Sequence, residues 1–193
     1  MQIGLFFGSF NPIHIGHLAL ANYFAEYANL NEVWLVVSPQ NPLKEKSQLL
    51  NQHNRLHLVN LAIQQHTKLR SSSIEFNLPQ PNYTVNTLAH LKEKFPNYKF
   101  SLIIGEDNLE SFGKWRNHEY ILENYQLLVY PRPGSKKGDF HHHPNVKIMD
   151  APLIEISSTF IRKGIKEGKD LRFFVGSKGQ KDHLCSSHTM QEQ

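Results

Sequence analysis

Four short apolar runs recur along the chain: IGLFF (3–7), VWLVV (33–37), FSLII (100–104) and QLLVY (126–130). Each is nearly continuous in branched and aromatic residues and too short for a core helix, the pattern of strands buried on both faces of a parallel sheet. Helical patterns stand between them. Residues 18–27 form one, residues 55–65 place Leu56, Val59 and Ile63 on one face, and residues 84–95 do the same with Val85, Leu88 and Ala89. Parallel strands need a crossover, and a helix is the usual one. The alternation therefore predicts an α/β fold, an open parallel sheet with helices on both faces. Residues 38–48, 77–82 and 131–145, rich in Pro, Gly and Asn, are predicted loops.

Such a sheet limits where chemistry can sit. Ligands bind at the carboxyl ends of the strands, where helix N-termini present unpaired N–H groups. The stretch GSFNPIHIGHL (8–18) lies there, directly after the first strand. Gly8 is expected to take a backbone conformation closed to other residues, Pro12 to stiffen the approach to a helix, and Gly16 to admit a ligand or neighbouring backbone. His14 and His17 can face the same side at a helix start, and two imidazoles beside N–H donors suit phosphoryl or nucleotidyl chemistry. A zinc pair, or histidines that only cap the helix, satisfies the same spacing. Neither the P-loop pattern G-x-x-x-x-G-K-[ST] nor the dinucleotide pattern G-x-G-x-x-G occurs.

A second stretch, ISSTFIRKGI (156–165), carries Ser157, Ser158 and Thr159 before an apolar helical pattern. Hydroxyls there cap a helix start and leave its donors facing outward, and Arg162 adds a permanent cation able to hold two phosphate oxygens. An ordinary N-cap with a solvated arginine is the alternative reading of these residues alone.

The two stretches resemble the H-x-G-H and I-S-S-T-x-I-R signatures of the nucleotidylyltransferase superfamily. NYTVNTL (82–88), LIIGEDNLESFGKW (102–115) and VYPRPG (129–134) look like the matching segments of bacterial nicotinate-nucleotide adenylyltransferases. The resemblance runs from about Ile3 to Val175. It implies a Rossmann-like fold and transfer of the adenylyl group of ATP to nicotinate mononucleotide, giving nicotinate adenine dinucleotide and pyrophosphate in NAD biosynthesis. It implies that His14, His17 and Arg162 are catalytic. Gly8, Ser9, Phe10, His17, Gly105, Asp107, Ile156, Ser157, Ser158, Thr159 and Arg162 are implied to bind ATP, Asp107 through the ribose and the serine-rich string through the β and γ phosphates. Lys44, Tyr83, Thr84, Trp115 and Arg132 are implied to bind the mononucleotide, with Trp115 stacked on the pyridine ring and Tyr83 and Thr84 offering backbone donors to its carboxylate. For single residues other readings stand beside these: Asp107 as the cap of a short helix NLESF, Trp115 as a core residue, Lys44 as a solvated cation. A Mg²⁺ ion is implied, held by substrate phosphates and water, so no protein ligand is expected.

The chain departs from the family pattern in places. Leu43 stands where the family carries a histidine before Lys44, Asn11 and Asn86 stand where many relatives carry Asp, and the sequence after Val175 differs. Residues 1–175 are expected to form one nucleotidylyltransferase domain, and residues 176–193, polar and aperiodic, a flexible tail.

The formal net charge is +4, with basic residues scattered and no basic stripe interleaved with aromatics, which favours small anionic substrates over nucleic acid. No apolar run approaches the ~20 residues of a membrane span. No secretory signal pattern is present and Cys185 is the only cysteine, so a cytoplasmic protein is expected. The run His141–His143 lacks nearby cysteine or acidic partners and is read as no metal site. A sibling adenylyltransferase acting on nicotinamide mononucleotide or phosphopantetheine, and a nucleotide-binding module without turnover, are the competing functions.

Overall fold

The computed structural model describes residues 1–39 and 49–175. Leu43, Lys44, Cys185 and the tail expected from Gly176 lie outside the described residues. Strands β1 (Gln2–Gly8), β2 (Glu32–Val37), β3 (Leu69–Ser72), β4 (Lys99–Gly105), β5 (Gln126–Tyr130) and β6 (Val146–Ile148) form one parallel six-stranded sheet in the order β3-β2-β1-β4-β5-β6. Helices α1 (Ile15–Tyr27), α2 (Gln52–Ile63), α3 (Thr84–Lys94), α4 (Glu106–Glu110), α5 (His118–Asn124) and α6 (Ser158–Lys166) accompany the strands, together with short 3-10 turns such as Ile74–Asn77 and Phe112–Lys114.

Alternation along the strands feeds two cores. Phe6, Val33, Leu35, Ile103 and Leu128 pack on one face against Leu20 and Phe24 of α1 and Val59 of α2. Ile3, Leu5, Leu102, Ile104, Leu127 and Val129 pack on the other against Leu88 and Leu91 of α3, Leu109 of α4 and Ile121 of α5. Helices thus cover both faces, as the apolar runs predicted, and each fully buried Leu or Ile contributes about 2 kcal/mol of transfer free energy. The sequence pattern missed β3 and β6. Both are edge strands, LRSS and VKI, and half-solvated edges need no apolar run. Helix α1 starts at Ile15, earlier than the periodicity suggested, because His14 serves as its extended N-cap. Among the described residues no helix is long and apolar enough to cross a membrane.

One buried cation holds the loops at the carboxyl edge of the sheet. Arg55 of α2 is fully buried, and its guanidinium donates to the carbonyls of Leu50 (2.9 Å), Ser9, Ser38 (2.8 Å) and Pro39 (2.9 Å). It staples the exits of β1 and β2 to the approach of α2. Arg55→Met leaves these carbonyls buried without a donor and is expected to cost about 3 kcal/mol. Thermal denaturation should show a drop of roughly 6 to 12 °C for a domain of this size, whereas a change below about 2 °C would refute the staple.

Candidate active site

The strand order reverses between β1 and β4, so the crossovers leaving these neighbours diverge and a crevice opens over their carboxyl ends. Two cavities occupy it, of about 600 Å³ and about 300 Å³. They share Phe6, Phe7, Gly8, Ser9, Asn108 and Tyr130, and therefore meet at the end of β1.

The larger cavity holds the histidines. His14 is 4% exposed and its ring stacks on that of His17, with centroids 3.7 Å apart. The backbone N–H of His14 donates to His17 Nδ1 at 3.3 Å. That bond assigns Nδ1 as the acceptor and leaves Nε2 as the donor nitrogen of neutral His17. The Phe10 ring meets His17 edge-on at 5.0 Å and limits its rotation. Burial, aided by the charge of Arg132, lowers the His14 pKa to about 4. His14 is thus neutral in the unliganded cleft at pH 7, a narrower state than its reference pKa of 6.5 allows.

The glycines serve packing more than backbone freedom, which corrects the sequence expectation for Gly8. Phe10, not Gly8, takes the left-handed conformation, at φ 43°. Gly8 is required because a Cβ there would lie 2.8 Å from the Phe10 ring. Gly16 makes room for neighbouring side chains: a Cβ would meet Ile154 at 2.9 Å and the His14 ring at 3.0 Å.

Helix α6 brings the second stretch onto the first. The Ser157 side chain caps the helix by accepting from Phe160 N–H at 3.2 Å, as the sequence predicted. The Ser158 hydroxyl donates to the carbonyl of Pro12 at 2.9 Å, and Arg162 donates to the carbonyl of Asn11 at 2.7 Å and to Thr159 Oγ1 at 3.1 Å. Arg162 is half-buried and tied to a loop 151 residues away, so the solvated-arginine reading fails. Asn11, 2% exposed, spends its side-chain oxygen on Leu50 N–H at 3.2 Å, a contact a neutral amide serves without burying a charge.

The opposite wall comes from β4 and β5. Gly105 is the N-cap of α4 and Asp107 lies inside its first turn, which overturns the reading of Asp107 as a cap. Asp107 Oδ1 lies 3.6 Å from Arg132 Nε, and the Arg132 guanidinium lies 5.5 Å from the centre of the Tyr130 ring. Arg132 N–H also donates to Glu106 Oε2 at 3.2 Å, and His141 Nε2 lies 3.5 Å from Glu106 Oε1. Among the described residues no group of three or more His, Cys, Asp or Glu is placed to hold a metal ion.

The larger cavity is lined by all the residues expected to bind ATP except Gly105, and also by His14, expected to be catalytic. Gly105 lines the smaller cavity, and Arg132, expected with the mononucleotide, lines the larger one. Tyr83, the extended N-cap of α3, its successor Thr84 and half-buried Trp115 line the smaller cavity. Fully buried Phe112, 5.2 Å from Trp115, takes the core position and leaves the indole at the wall.

Two further residues there gave no sequence signal. Glu75, 3% exposed, accepts from the Thr87 hydroxyl at 2.8 Å; burial raises its pKa against hydrogen bonds from Thr87 and Ser38. Arg116 places its guanidinium 4.9 Å from the centre of the Tyr83 ring. The first follows an edge strand and the second sits in a turn, where periodicity is silent.

A parallel sheet wound in this order thus carries stacked imidazoles and an arginine-bearing helix over its crevice. The cytidylyltransferase-like family model matches residues 5–164. Similar proteins include the probable nicotinate-nucleotide adenylyltransferases of Flavobacterium psychrophilum, 59% identical with 89% of this chain and 90% of that one covered, and of Christiangramia forsetii, 59% identical with 88% and 89% covered. The chain belongs to the cytidylyltransferase-like family, in its nicotinate-nucleotide adenylyltransferase branch. The fold matches that of the Plasmodium falciparum nicotinic acid mononucleotide adenylyltransferase complexed with NaAD, at a TM-score of 0.80 and 19% identity over 100% of this chain and 98% of that one.

A lowered histidine pKa means the folded protein binds that proton more weakly than the unfolded chain. The stability tied to His14 is therefore complete above about pH 6.5 and is lost as pH falls toward about 4. NMR titration of the imidazole carbons should place His14 near pH 4 and move it upward in Arg132→Gln; titration of His14 near 6.5 would contradict the assignment.

Proposed function

We propose that the chain transfers the adenylyl group of ATP to nicotinate mononucleotide, releasing pyrophosphate and forming nicotinate adenine dinucleotide. The observation that carries this reading is the meeting of the two cavities at Gly8 and Ser9, beside the stacked histidines. ATP lies in the larger cavity with its ribose at Asp107, and the mononucleotide lies in the smaller one with its pyridine ring against Trp115. Their phosphates converge at the end of β1.

An oxygen of the mononucleotide 5′-phosphate attacks the α-phosphorus of ATP, a new P–O bond forms, and the bond from the α-phosphorus to the bridging oxygen breaks. The electron pair leaves with pyrophosphate. The nucleophile is already ionised, so positioning and charge stabilisation carry the catalysis. His17 Nε2–H donates to the transferring phosphate, and neutral His14 supports the His17 ring by stacking. The first-turn amides of α6, the hydroxyls of Ser158 and Thr159, and Arg162 hold the leaving pyrophosphate. The ionisable and hydroxyl side chains lining the larger cavity are imidazoles, hydroxyls and arginines, with Asp107 the one carboxylate among the described residues, a donor set that forms no cage for Mg²⁺. Magnesium would be supplied as the counter-ion of the ATP phosphates, with no protein ligand required.

His17→Ala should lower kcat by about 100-fold or more while ATP affinity stays within a few-fold, because the contact strengthens as charge moves. Lost ATP affinity with kcat intact would make His17 a ground-state binding residue. An end-point assay with ATP and magnesium, offering nicotinate mononucleotide, nicotinamide mononucleotide and phosphopantetheine separately, tests the reaction itself. Dinucleotide from the nicotinate substrate in clear excess over the amide supports the reading. Product from phosphopantetheine alone would move the chain to a sibling activity, and ATP binding without any product would leave a binding module.

A further inference from the structure

The smaller cavity contains a cation that the reaction scheme leaves without a task. Arg116 lines it together with Trp115, Tyr83 and Thr84. Its guanidinium sits 4.9 Å from the centre of the Tyr83 ring, a cation–π distance that restricts an otherwise flexible side chain. The turn beneath it is held from both sides: Trp115 N–H donates to Phe112 O at 2.9 Å and His118 N–H donates to Trp115 O at 3.2 Å. Asn117 follows in the left-handed conformation, at φ 52°. The turn that carries Arg116 is therefore held on both sides, and its exposed side chain packs over the Tyr83 ring at the cavity wall.

The charge of Arg116 is also uncommitted. Among the described residues no carboxylate forms an ion pair with it. The acid lining this cavity, Glu75, is buried and bonded to Thr87. An unpaired, pre-positioned guanidinium at a site for a flat aromatic acid has a chemical counterpart, the ring carboxylate, which a planar fork can engage with two N–H groups.

We infer that the Arg116 side chain pairs with the carboxylate of the nicotinate ring and so sets the preference for the acid over the amide. The inference rests on the reading of the smaller cavity as the mononucleotide site. An amide presents no charge to the guanidinium and turns an N–H₂ group toward it, so the same arginine rewards one substrate and penalises the other.

Arg116→Gln, Arg116→Lys and Lys114→Gln, the last removing a second cation from the same cavity wall, separate the possibilities. The kinetics are measured with nicotinate and nicotinamide mononucleotides, and binding of each is followed by tryptophan fluorescence without ATP. For Arg116→Gln the ratio of kcat/KM for acid over amide should fall about tenfold or more, mostly through the KM of the acid. Arg116→Lys should fall in between, and Lys114→Gln should change the ratio less. Equal losses for both substrates would show a structural role, and an equal shift from Lys114→Gln would show that the pocket reads net charge; either overturns the inference. The binding arm separates it from the proposed reaction. If the wild type binds the acid without turning it over, and Arg116→Gln weakens that binding, the inference survives while the reaction fails. If neither mononucleotide binds or is turned over, both fail.

Discussion

Above the neighbouring strands β1 and β4 no helix can close the gap, because the crossovers that leave them run outward in opposite directions. The gap exposes the ends of two strands, the first turns of α1 and α4, and the loops between. One wall would be loose without help, since α6 arrives from the far end of the chain. The bonds from Ser158 and Arg162 to the carbonyls of Pro12 and Asn11 supply that help, and Arg55 holds the same loop from beneath through Ser9. A fold-level opening thus becomes a cleft of definite shape through a few donors aimed at backbone carbonyls.

The choice of carbonyls has an electrostatic consequence. A carboxylate partner would cancel the charge of an arginine, whereas a carbonyl orients it and leaves the charge in place. Among the described residues Arg162 bonds only to such neutral groups, the Asn11 carbonyl and the Thr159 hydroxyl, so the cleft keeps its cation for an anionic ligand. Arg132 follows the opposite logic, half-exposed beside Asp107. Its charge reaches His14 and, added to burial, keeps that imidazole neutral. The stacked pair is divided by its surroundings into one buried neutral ring and one half-buried ring whose tautomer is set by a backbone amide.

The four central strands were legible because burial on both faces writes itself into the sequence as continuous apolar runs. The edge strands were not, since LRSS and VKI answer to pairing on one side and water on the other. In the cleft, the residues of the two signature stretches were legible as a chemistry: imidazoles after a strand, hydroxyls before a helix. Their physical reasons were less so. Gly8 looked like a backbone hinge and is a seat for the Phe10 ring, and Asp107 looked able to cap a helix that Gly105 caps instead. Arg55, Glu75 and Arg116 act through contacts with residues distant in sequence or through turns, and periodicity carries no trace of either.

In the proposed reaction the transfer is direct, with both substrates in one cleft and no adenylylated side chain between them. The decisive measurement is the stereochemical course at phosphorus, using ATP made chiral at the α-position with sulfur and nicotinate mononucleotide as acceptor. A single in-line displacement inverts the configuration in the dinucleotide product, and inversion is the predicted result. Retention would mean two successive displacements through an adenylylated side chain, and would contradict the proposed direct transfer.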